Sequence, residues 1–343
     1  MMHSKFSIIL FFILILCISV LSYQNSGLKL YHKKSILNHL ISNSQKLKNT
    51  RLDATLSLPF DEGFNTESYE ARNCQPLDPG PFSLKIKGKI INIWGFLYAV
   101  AIFGSSIFFL PFFCIDNLIG RITGDMRLKR ADWFVHTWAR LITVVLFTPV
   151  HLYGTENLPP VDETVLYVPN HTSFMDIIIL SSFIPRPFKY LSKAEILNIP
   201  IIGIAMRACR HVFLYRDRVE SAFEVSNQSI DRLKGGSSMV LFPEGTRSRD
   251  GKLKEMKKGA FQIAKKAGVR IVPISIGNVH RWMPADTAML PYRPMRDIYV
   301  KIHPPVDVTP DSKVSVLRKQ VYTTVNEGLP KFQQGVKAED LRK

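Results

Sequence analysis

Cysteine is scarce in this chain of 343 residues, and the few cysteines present follow no pattern. They are Cys17, Cys74, Cys114 and Cys209. None belongs to a Cys-x-x-Cys pair, and their scattered positions show no paired spacing. A disulfide framework and a cysteine zinc site are therefore both disfavoured.

Acidic residues are also in short supply. The chain has 28 Asp and Glu against 45 Lys and Arg, which gives a net charge of +17. Hydrophobic residues make up 46% of the chain, which is enough to build a core. The composition therefore excludes a disordered or acidic-tail protein. The positive charge favours anionic partners, namely nucleic acid, phosphorylated ligands or anionic lipid, without choosing between them.

Several catalytic signatures are missing. The sequence contains no G-x-S-x-G, no G-x-x-x-x-G-K-[ST] and no H-E-x-x-H, so a serine hydrolase, a P-loop protein and a zinc protease of that kind are not indicated. No spacing suits a set of metal ligands, and we expect no cofactor. Because no basic–aromatic stripe marks a nucleic-acid-binding module, we expect no nucleic-acid partner.

The first eighty residues have the composition of targeting sequence. Residues 1–23 contain an uncharged apolar run after a short start, which predicts a secretory signal peptide; a retained signal anchor is the alternative. Residues 24–80 predict a transit-like segment, because residues 24–59 contain six Lys and Arg but a single acidic residue, Asp53. A solvated basic linker is the alternative. The two segments together predict import into a plastid bounded by extra membranes, such as an apicoplast or another complex plastid. The endoplasmic reticulum membrane is the alternative destination.

Residues 85–150 predict a membrane-associated module of two hydrophobic helices. No charged residue occurs from Ile90 to Ile115, and about 20 apolar residues suffice to cross a bilayer. The second segment, Trp133 to Val150, carries His136 and Arg140, which suits an interfacial or re-entrant helix better than a span. A pair of buried core helices is the alternative.

From residue 151 onward, strand-like and helix-like segments alternate. The predicted strands are 164–168, 188–191, 211–215, 238–242, 269–276 and 298–302. The predicted helices are 175–184, 200–208, 219–233, 255–267 and 314–325. This alternation predicts an α/β fold with a mainly parallel sheet flanked by helices. We assign residues 151–310 to the α/β domain and residues 311–343 to a C-terminal helix and tail.

The first chemical motif, Asn-His-Thr-Ser-Phe-Met-Asp at residues 170–176, directly follows a predicted strand. A histidine with a pKa of about 6.5 can take a proton from a hydroxyl group. A carboxylate on its other nitrogen fixes the tautomer and stabilises the imidazolium. His171 and Asp176 are the candidates for this pair. The alternative is a helix N-cap at Thr172 or Ser173, with Asp176 favouring the helix dipole.

The second motif, Phe-Pro-Glu-Gly-Thr-Arg-Ser at residues 242–248, follows another predicted strand. Ligands of open α/β sheets bind at the carboxyl ends of strands. Glycine lets the backbone approach a ligand, and Arg247 offers a planar fork for phosphate. An ordinary strand-to-loop turn is the alternative.

Taken together, the two motifs resemble the hallmarks of the glycerolipid acyltransferase family. The first fits the family's histidine–four residues–aspartate signature, and the second follows it at the usual distance. Residues 212–216 resemble the block between them, and residues 271–274 resemble the last block. Residues 188–203 and 249–261 are similar to the 1-acyl-glycerol-3-phosphate acyltransferases of bacterial and plastid type. The resemblance covers the chain from about residue 90 to residue 305.

The resemblance implies a reaction and a role for each residue. His171 would deprotonate the 2-hydroxyl of lysophosphatidic acid, and Asp176 would orient and charge-stabilise His171. The product would be phosphatidic acid. The acyl donor would be acyl-CoA or acyl carrier protein, and the bilayer would carry both lipids. The residues implied to hold the phosphate and glycerol of the acceptor are Glu244, Gly245, Thr246, Arg247 and Arg216, with Lys193 as a further binding residue.

Alternatives remain open beside this interpretation. Arg210 stands where the family often has a glycine, which would alter the floor of the acceptor site. Within the enzymes, the alternative is another acyltransferase of the same superfamily that acts on glycerol-3-phosphate or a lysophospholipid. A non-catalytic membrane scaffold is the alternative outside the enzymes.

Overall fold

The structure is a computed structural model that describes residues 83–86, 89–125, 127–145, 150–199, 201–215, 220–283 and 298–336. The predicted signal peptide (1–23) and the transit-like segment (24–80) lie outside the described residues, as does Arg216. Both predictions therefore stay predictions.

A seven-stranded mixed sheet forms the centre of the described part of the chain. A short antiparallel hairpin, β1 and β2, precedes the sheet. The strands are β1 Ser83–Ile86, β2 Lys89–Asn92, β3 Val150–Tyr153, β4 Leu166–Pro169, β5 Lys189–Lys193, β6 Val212–Leu214, β7 Met239–Val240, β8 Ile271–Gly277 and β9 Ile298–Ile302. The order in the large sheet is β3-β9-β8-β4-β7-β5-β6, and every pair is parallel except β8 and β9. The predicted α/β class with a mainly parallel sheet is confirmed.

Helices cover both faces of this sheet. They are α1 Ile93–Thr123, α2 Lys129–Val145, α3 Met175–Phe183, α4 Ile202–Ala208, α5 Glu220–Lys234, α6 Gly259–Ala267, α7 Val279–Trp282 and α8 Val314–Glu327. Short 3₁₀ turns occur at Thr155–Asn157, Ala194–Asn198 and Lys331–Gln333. Tyr167 of β4 packs into the core that α2 and α3 cover, whereas Leu166 and Val168 pack into the core under α5, α6 and α8. Side chains of a strand alternate between faces, so one strand serves both cores.

Three elements differ from the sequence-based prediction. Strand β2 of the hairpin occupies the start of the uncharged run that begins at Ile90, where we predicted a helix. β3 lies at the end of the segment predicted as a second helix, which stops at Val145. The short helix α7 was not predicted. β3 has four residues and pairs with β9, and a strand so short with so distant a partner leaves no periodic signal in the sequence.

The long helix α1 presents an apolar face to solvent. Its segment Gly95–Thr123 is long and apolar enough to cross a membrane, judged by length and composition. One side packs against α2 and α4. The other side exposes a row at helical spacing that includes Val100, Ile107, Ile115 and Ile122. The helix therefore buries one apolar side in the protein and exposes another, and its charged residues Asp116 and Arg121 lie near its C-terminal end.

Two ion pairs fix α2 in place. Arg130 at the start of α2 donates to Asp116 of α1 at 2.6 Å, and the backbone N–H of Ala131 also donates to that carboxylate. Lys189 of β5 donates to Asp132 of α2 at 2.6 Å, and both side chains are almost fully buried. Ion pairs thus connect α2 both to α1 and to strand β5 of the central sheet.

Candidate active site

The residues predicted to carry chemistry meet at the carboxyl edge of the sheet. His171 follows β4, the second motif follows β7, and Lys193 ends β5. β7 pairs in parallel with both β4 and β5. Parallel neighbours end at the same edge, which brings segments distant in sequence together.

His171 and Asp176 form the predicted pair. Nδ1 of His171 lies 2.9 Å from Oδ2 of Asp176. Because an ionised carboxylate only accepts hydrogen bonds, Nδ1 carries the ring proton and Nε2 keeps its lone pair. The His171 side chain is 15% exposed, whereas that of Asp176 is fully buried. The ring is therefore oriented from the protein side and can meet a substrate proton at Nε2.

The carboxylate of Asp176 also accepts backbone hydrogen bonds from the residues just before its own helix. Its Oδ2 accepts hydrogen bonds from the backbone N–H groups of Thr172 at 2.7 Å and Ser173 at 2.8 Å. Asp176 lies in the first turn of α3, where a negative charge meets the positive end of the helix dipole. Phe174 is the N-cap of α3, which has no side-chain cap, so the alternative of an N-cap at Thr172 or Ser173 is not confirmed. The position of Asp176 at the positive end of the helix dipole is compatible with its pairing to His171.

The second motif packs directly on the first. The ring of Phe242 stacks on that of His171, with centroids 3.9 Å apart. Oε1 of Glu244 accepts the backbone N–H of His171 at 2.6 Å, and Oε2 accepts that of Lys254 at 3.0 Å. Both Glu244 oxygens thus bond to the backbone, and the side chain is 3% exposed. Glu244 joins the two motifs to each other, and its contact with the acceptor stays a prediction.

Burial raises the pKa of Glu244 to about 8, and the nearby carboxylate of Asp176 also raises it. The hydrogen bonds from the backbone of His171 and Lys254 act in the opposite direction. A carboxyl group held in this environment is a frequent feature of functional sites.

The loop after Glu244 is held by its own hydrogen bonds. The backbone N–H of Ser248 donates to the carbonyl of His171 at 2.8 Å. Ser248 Oγ donates to Asp250 at 2.7 Å, and Nζ of Lys254 donates to the carbonyl of Arg247 at 3.1 Å. The segment that carries Arg247 is therefore fixed both to His171 and to Lys254.

The other predicted binding residues lie at the same edge. Gly245 has a φ of +69°, a backbone conformation that glycine adopts without steric cost. Thr246 and Lys193 are exposed, and Arg247 is partly buried. Their contacts with substrate stay predictions, as does the role of Arg216, which follows β6 outside the described residues.

Arg210 does not lie at this edge. It precedes the first residue of β6, which is the amino end of that strand. Arg121 and Arg232 lower its pKa together with partial burial, the largest cause, so these two charges are its neighbours. The parallel β6 separates Arg210 from the carboxyl edge, so the expected change to the floor of the acceptor site stays a prediction without a direct contact to support it.

Some residues that support the site were given no site role in the sequence analysis. Asn170 is fully buried, and its side chain exchanges hydrogen bonds with both backbone groups of Ile276. Ser173 Oγ donates to the carbonyl of Met283 at 2.7 Å. Asn170 and Ser173 lie inside the first motif, so their position in the sequence could have identified them as supporting residues. No feature of the sequence marks Lys254 as one. Among the described residues, no group of three or more His, Cys, Asp and Glu side chains could hold a metal ion.

Comparison with known proteins agrees with this geometry. Residues 149–277 match the family model described as Acyltransferase. This part of the chain belongs to the acyltransferase family. The matched range contains both motifs and the strands that position them.

Named relatives share this acyltransferase domain. The chain is 36% identical over 207 residues to a 1-acyl-sn-glycerol-3-phosphate acyltransferase of Chlamydomonas reinhardtii, a match that covers 60% of each chain. It is 35% identical over 236 residues to a chloroplastic 1-acyl-sn-glycerol-3-phosphate acyltransferase of Arabidopsis thaliana, covering 68% of this chain and 64% of the relative. The matches therefore span less than two thirds of these relatives' lengths.

A solved structure has the same fold. The crystal structure of the 1-acyl-sn-glycerophosphate acyltransferase of Thermotoga maritima matches with a TM-score of 0.55 and 29% sequence identity. The match covers 68% of this chain and 94% of that one.

Proposed function

We propose that this protein transfers an acyl group from a thioester to the 2-hydroxyl of lysophosphatidic acid and so forms phosphatidic acid. The observation that carries the proposal is the His171–Asp176 pair at the carboxyl edge of the sheet, beside the loop of Arg247. The relatives named as 1-acyl-sn-glycerol-3-phosphate acyltransferases supply the choice of acceptor.

The reaction needs one base and no covalent intermediate with the enzyme. Nε2 of His171 takes the proton of the 2-hydroxyl while its oxygen attacks the thioester carbonyl carbon. The carbon–sulfur bond then breaks, and the thiolate takes the proton back from His171. Products are the ester and a free thiol, and the base is regenerated. Asp176 stabilises the imidazolium in between.

The acceptor phosphate would bind beside the base. Arg247 and Arg216 would supply charged donors, and the turn at Gly245 and Thr246 would supply close backbone approach. Lys193 would steady either the phosphate or the developing oxyanion. Bound in this way, the acceptor holds its hydroxyl near Nε2 of His171. The reacting groups then no longer have to meet by diffusion, which lowers the entropic cost of the reaction.

The donor would be acyl-CoA or acyl carrier protein, and the reaction would belong to phospholipid biosynthesis. Exposed basic residues surround the loop after the second motif, which suits the phosphates of coenzyme A and the acidic surface of a carrier protein. They are Arg249, Lys252, Lys257 and Lys258. We also propose that the reaction needs no metal and no other cofactor, because the base, its carboxylate and the cationic donors complete the step.

The protein would work at a membrane, with α1 and α2 as its docking module. The exposed apolar face of α1 would lie in the bilayer, and α2 would join it to the sheet. Both lipids could then reach the site from the membrane. Chloroplastic relatives in Arabidopsis thaliana and Brassica napus support a plastid location.

The test is acyl transfer by the purified full-length protein in detergent. Lysophosphatidic acid or glycerol-3-phosphate would be offered with labelled acyl-CoA or acyl carrier protein, and the labelled lipid would be identified. We expect labelled phosphatidic acid from lysophosphatidic acid, and its loss in His171→Ala. His151→Ala is the matched control, since His151 lies on β3 at the far edge of the sheet.

Each other outcome changes the proposal in a defined way. Transfer only to glycerol-3-phosphate would keep acyl transfer and replace the acceptor. Full activity in His171→Ala would remove the proposed base. No transfer from any donor to any acceptor would leave a non-catalytic membrane scaffold.

A further inference from the structure

The last described residues of the chain lie across the back of the active-site loop. We call residues 330–336 the C-terminal strap and residues 245–254, which include the proposed acceptor-binding residues Gly245, Thr246 and Arg247, the acceptor loop. We propose that Gln333 of the strap is a positioning residue that holds the acceptor loop in its binding conformation. The inference deepens the proposed function, on which its choice of acceptor rests.

Gln333 is fully buried although its side chain is polar. Its Oε1 accepts the backbone N–H of Asn278 at 2.7 Å, and its Nε2 donates to the carbonyl of Gly251 at 3.3 Å. Its own carbonyl accepts the backbone N–H of Leu253 at 2.8 Å. One residue thus connects the acceptor loop, the turn after β8 and the strap. Burying an amide is favourable only where such bonds are made.

The strap is itself tied to α8. Tyr322 donates its hydroxyl hydrogen to the carbonyl of Val336 at 2.9 Å, and Asn326 accepts the backbone N–H of Gly335 at 2.8 Å. A Cβ atom at Gly335 would overlap the carbonyl oxygen of Leu253 and the hydroxyl of Tyr322. The strap therefore touches the acceptor loop so closely that only glycine fits at this position.

A second contact acts on the same loop from the side of α7. Gly251 has a φ of +79°, and a Cβ there would overlap the ring of His280. The ring of Phe332, the residue before Gln333, lies 6.0 Å from that of His280. Gly251 is thus enclosed between His280 and the hydrogen bond to Gln333, and the acceptor loop has little room to move.

The contacts continue from Gln333 to the catalytic histidine. Leu253, which Gln333 holds, precedes Lys254. Lys254 donates from its backbone to Glu244 and from its side chain to the carbonyl of Arg247. Glu244 accepts the backbone N–H of His171. A shift of Leu253 therefore moves the segment with Arg247 first, and reaches His171 only through Glu244.

This order of contacts predicts which kinetic constant changes. Loss of the Gln333 amide removes its hydrogen bonds to the N–H of Asn278 and the carbonyl of Gly251. The acceptor loop then spends less time in the conformation that binds phosphate, which weakens acceptor binding. The His171–Asp176 pair keeps its own bonds, so the chemical step is preserved.

The test compares two neighbouring glutamines in the full-length protein. Gln333→Leu removes both side-chain bonds at similar volume. We expect its KM for lysophosphatidic acid to rise about 10-fold, the factor that about 1.4 kcal/mol represents, with kcat changed about 2-fold at most. Gln334→Leu is the matched control, because the side chain of Gln334 donates to the carbonyl of Leu329, which lies outside the acceptor loop. Its KM should equal that of the wild type.

A merely structural role gives a different result. Destabilised protein lowers the active fraction, and hence the apparent kcat, while leaving KM unchanged. An unchanged KM in folded Gln333→Leu, or an equal rise in Gln334→Leu, would overturn the proposal. If Gln333→Leu does not fold, Gln333→Asn is the second variant, because it keeps the amide on a shorter side chain. We expect its KM to be about 3-fold higher than that of the wild type.

Hydrogen exchange separates this inference from the proposed function. Amide exchange of the acceptor loop should be faster in Gln333→Leu than in wild type and Gln334→Leu, while exchange in α5 stays the same. If the wild type fails to acylate lysophosphatidic acid but the loop exchange still differs, the proposed function fails and the positioning role stands. Equal loop exchange in all three proteins would reject the positioning role.

Discussion

At the scale of the residue, the carboxylate of Asp176 belongs both to a side-chain pair and to a helix start. Its Oδ2 accepts hydrogen bonds from the ring of His171 and from two backbone N–H groups. The backbone bonds hold the carboxylate rigidly, so it holds the imidazole in one orientation. All three hydrogen-bond partners of this carboxylate lie within the six residues 171–176, so local folding of the chain is enough to bring them together.

We predict that Asp176→Asn slows acyl transfer severely while leaving the fold intact. The amide can offer its NH₂ to the ring and so favour the wrong tautomer, with an expected loss in kcat of about 10³-fold. Steady-state kinetics measures the loss, and circular dichroism checks the fold. Asp162→Asn, the same chemical change at an exposed position, should retain full activity. A kcat near that of wild type in Asp176→Asn would argue against the pair.

Glu244 carries a prediction about pH. Its pKa is about 8 in the folded protein because of burial, against an ordinary value of 4.5. Between these two values the folded protein binds a proton that the unfolded chain has released, so this group's contribution to stability is present below pH 4.5 and is lost as the pH rises to 8. The unfolding free energy of wild type should therefore fall across this window relative to that of Glu244→Gln. Chemical denaturation of both proteins at pH 5 and pH 8 measures the difference, and parallel curves would contradict it.

At the scale of the element, the position of α2 is set by charges that the sheet buries. Lys189 and Asp132 form an ion pair with almost no exposure. Such a pair contributes little net stability when intact, but a charge left without its partner is expensive. The pair therefore favours the one position of α2 against β5 in which the two charges meet.

We predict that Lys189→Met lowers the unfolding free energy by about 3–5 kcal/mol, since it strands the buried Asp132 carboxylate. The double change Lys189→Met with Asp132→Leu should recover most of the loss. Arg127→Met breaks an exposed pair with Asp125 and should cost about 1 kcal/mol or less. Urea denaturation measures all three, and a double variant no better than the single one would contradict the interpretation.

The turn before β6 contains a residue in an unfavourable conformation. Arg210 has a φ of +58°, which costs a residue with a side chain about 1–2 kcal/mol. Arg210→Gly should therefore raise the unfolding free energy by about 1 kcal/mol after the entropy cost of glycine. Arg210→Ala removes the charge and keeps the Cβ, so it should gain less. Thermal and chemical denaturation measure the unfolding free energies of both variants. An equal gain in the two would mean that removal of the charge, and not relief of backbone strain, stabilises the protein.

At the scale of the whole molecule, the long apolar helix lies on the face of the sheet shared with α2 and α3. Tyr98 of α1 meets Trp282 of α7 edge to face, with ring centroids 5.1 Å apart. Met283, the next residue, bonds to Ser173 of the first motif. The proposed membrane face and the catalytic motif thus belong to one continuous packed unit.

We predict that a charge on the exposed face of α1 weakens membrane binding. Ile107 is 60% exposed, and Ile107→Lys should lower binding to phosphatidylcholine–phosphatidylglycerol vesicles about 10-fold, because a lysine ammonium resists entry into hydrocarbon. Vesicle flotation measures binding. Val316→Lys is the control, since Val316 is 58% exposed on α8, and it should bind like wild type. Equal binding by all three would place the membrane contact elsewhere.

The α/β part of the chain was predictable from local pattern. The strand–helix alternation from β4 to α8 is confirmed within a few residues at each boundary, and the motifs at 170–176 and 242–248 lie where the sequence indicated. The failures share a cause. β3 pairs with β9, which lies far away in the sequence, and periodicity does not identify such a partner. The position of Arg210 depends on which end of β6 faces the site.

By itself the sequence determined which residues can do chemistry, since the types and spacing of His171, Asp176 and the Glu244–Arg247 segment limit the reactions they support. The tertiary structure alone decided how these residues are held. Glu244 turned out to join the two motifs, and Gln333 reaches the acceptor loop from about 80 positions away in the chain. Side-chain type is a local property, whereas a buried hydrogen bond exists only after the whole chain has brought its two partners together.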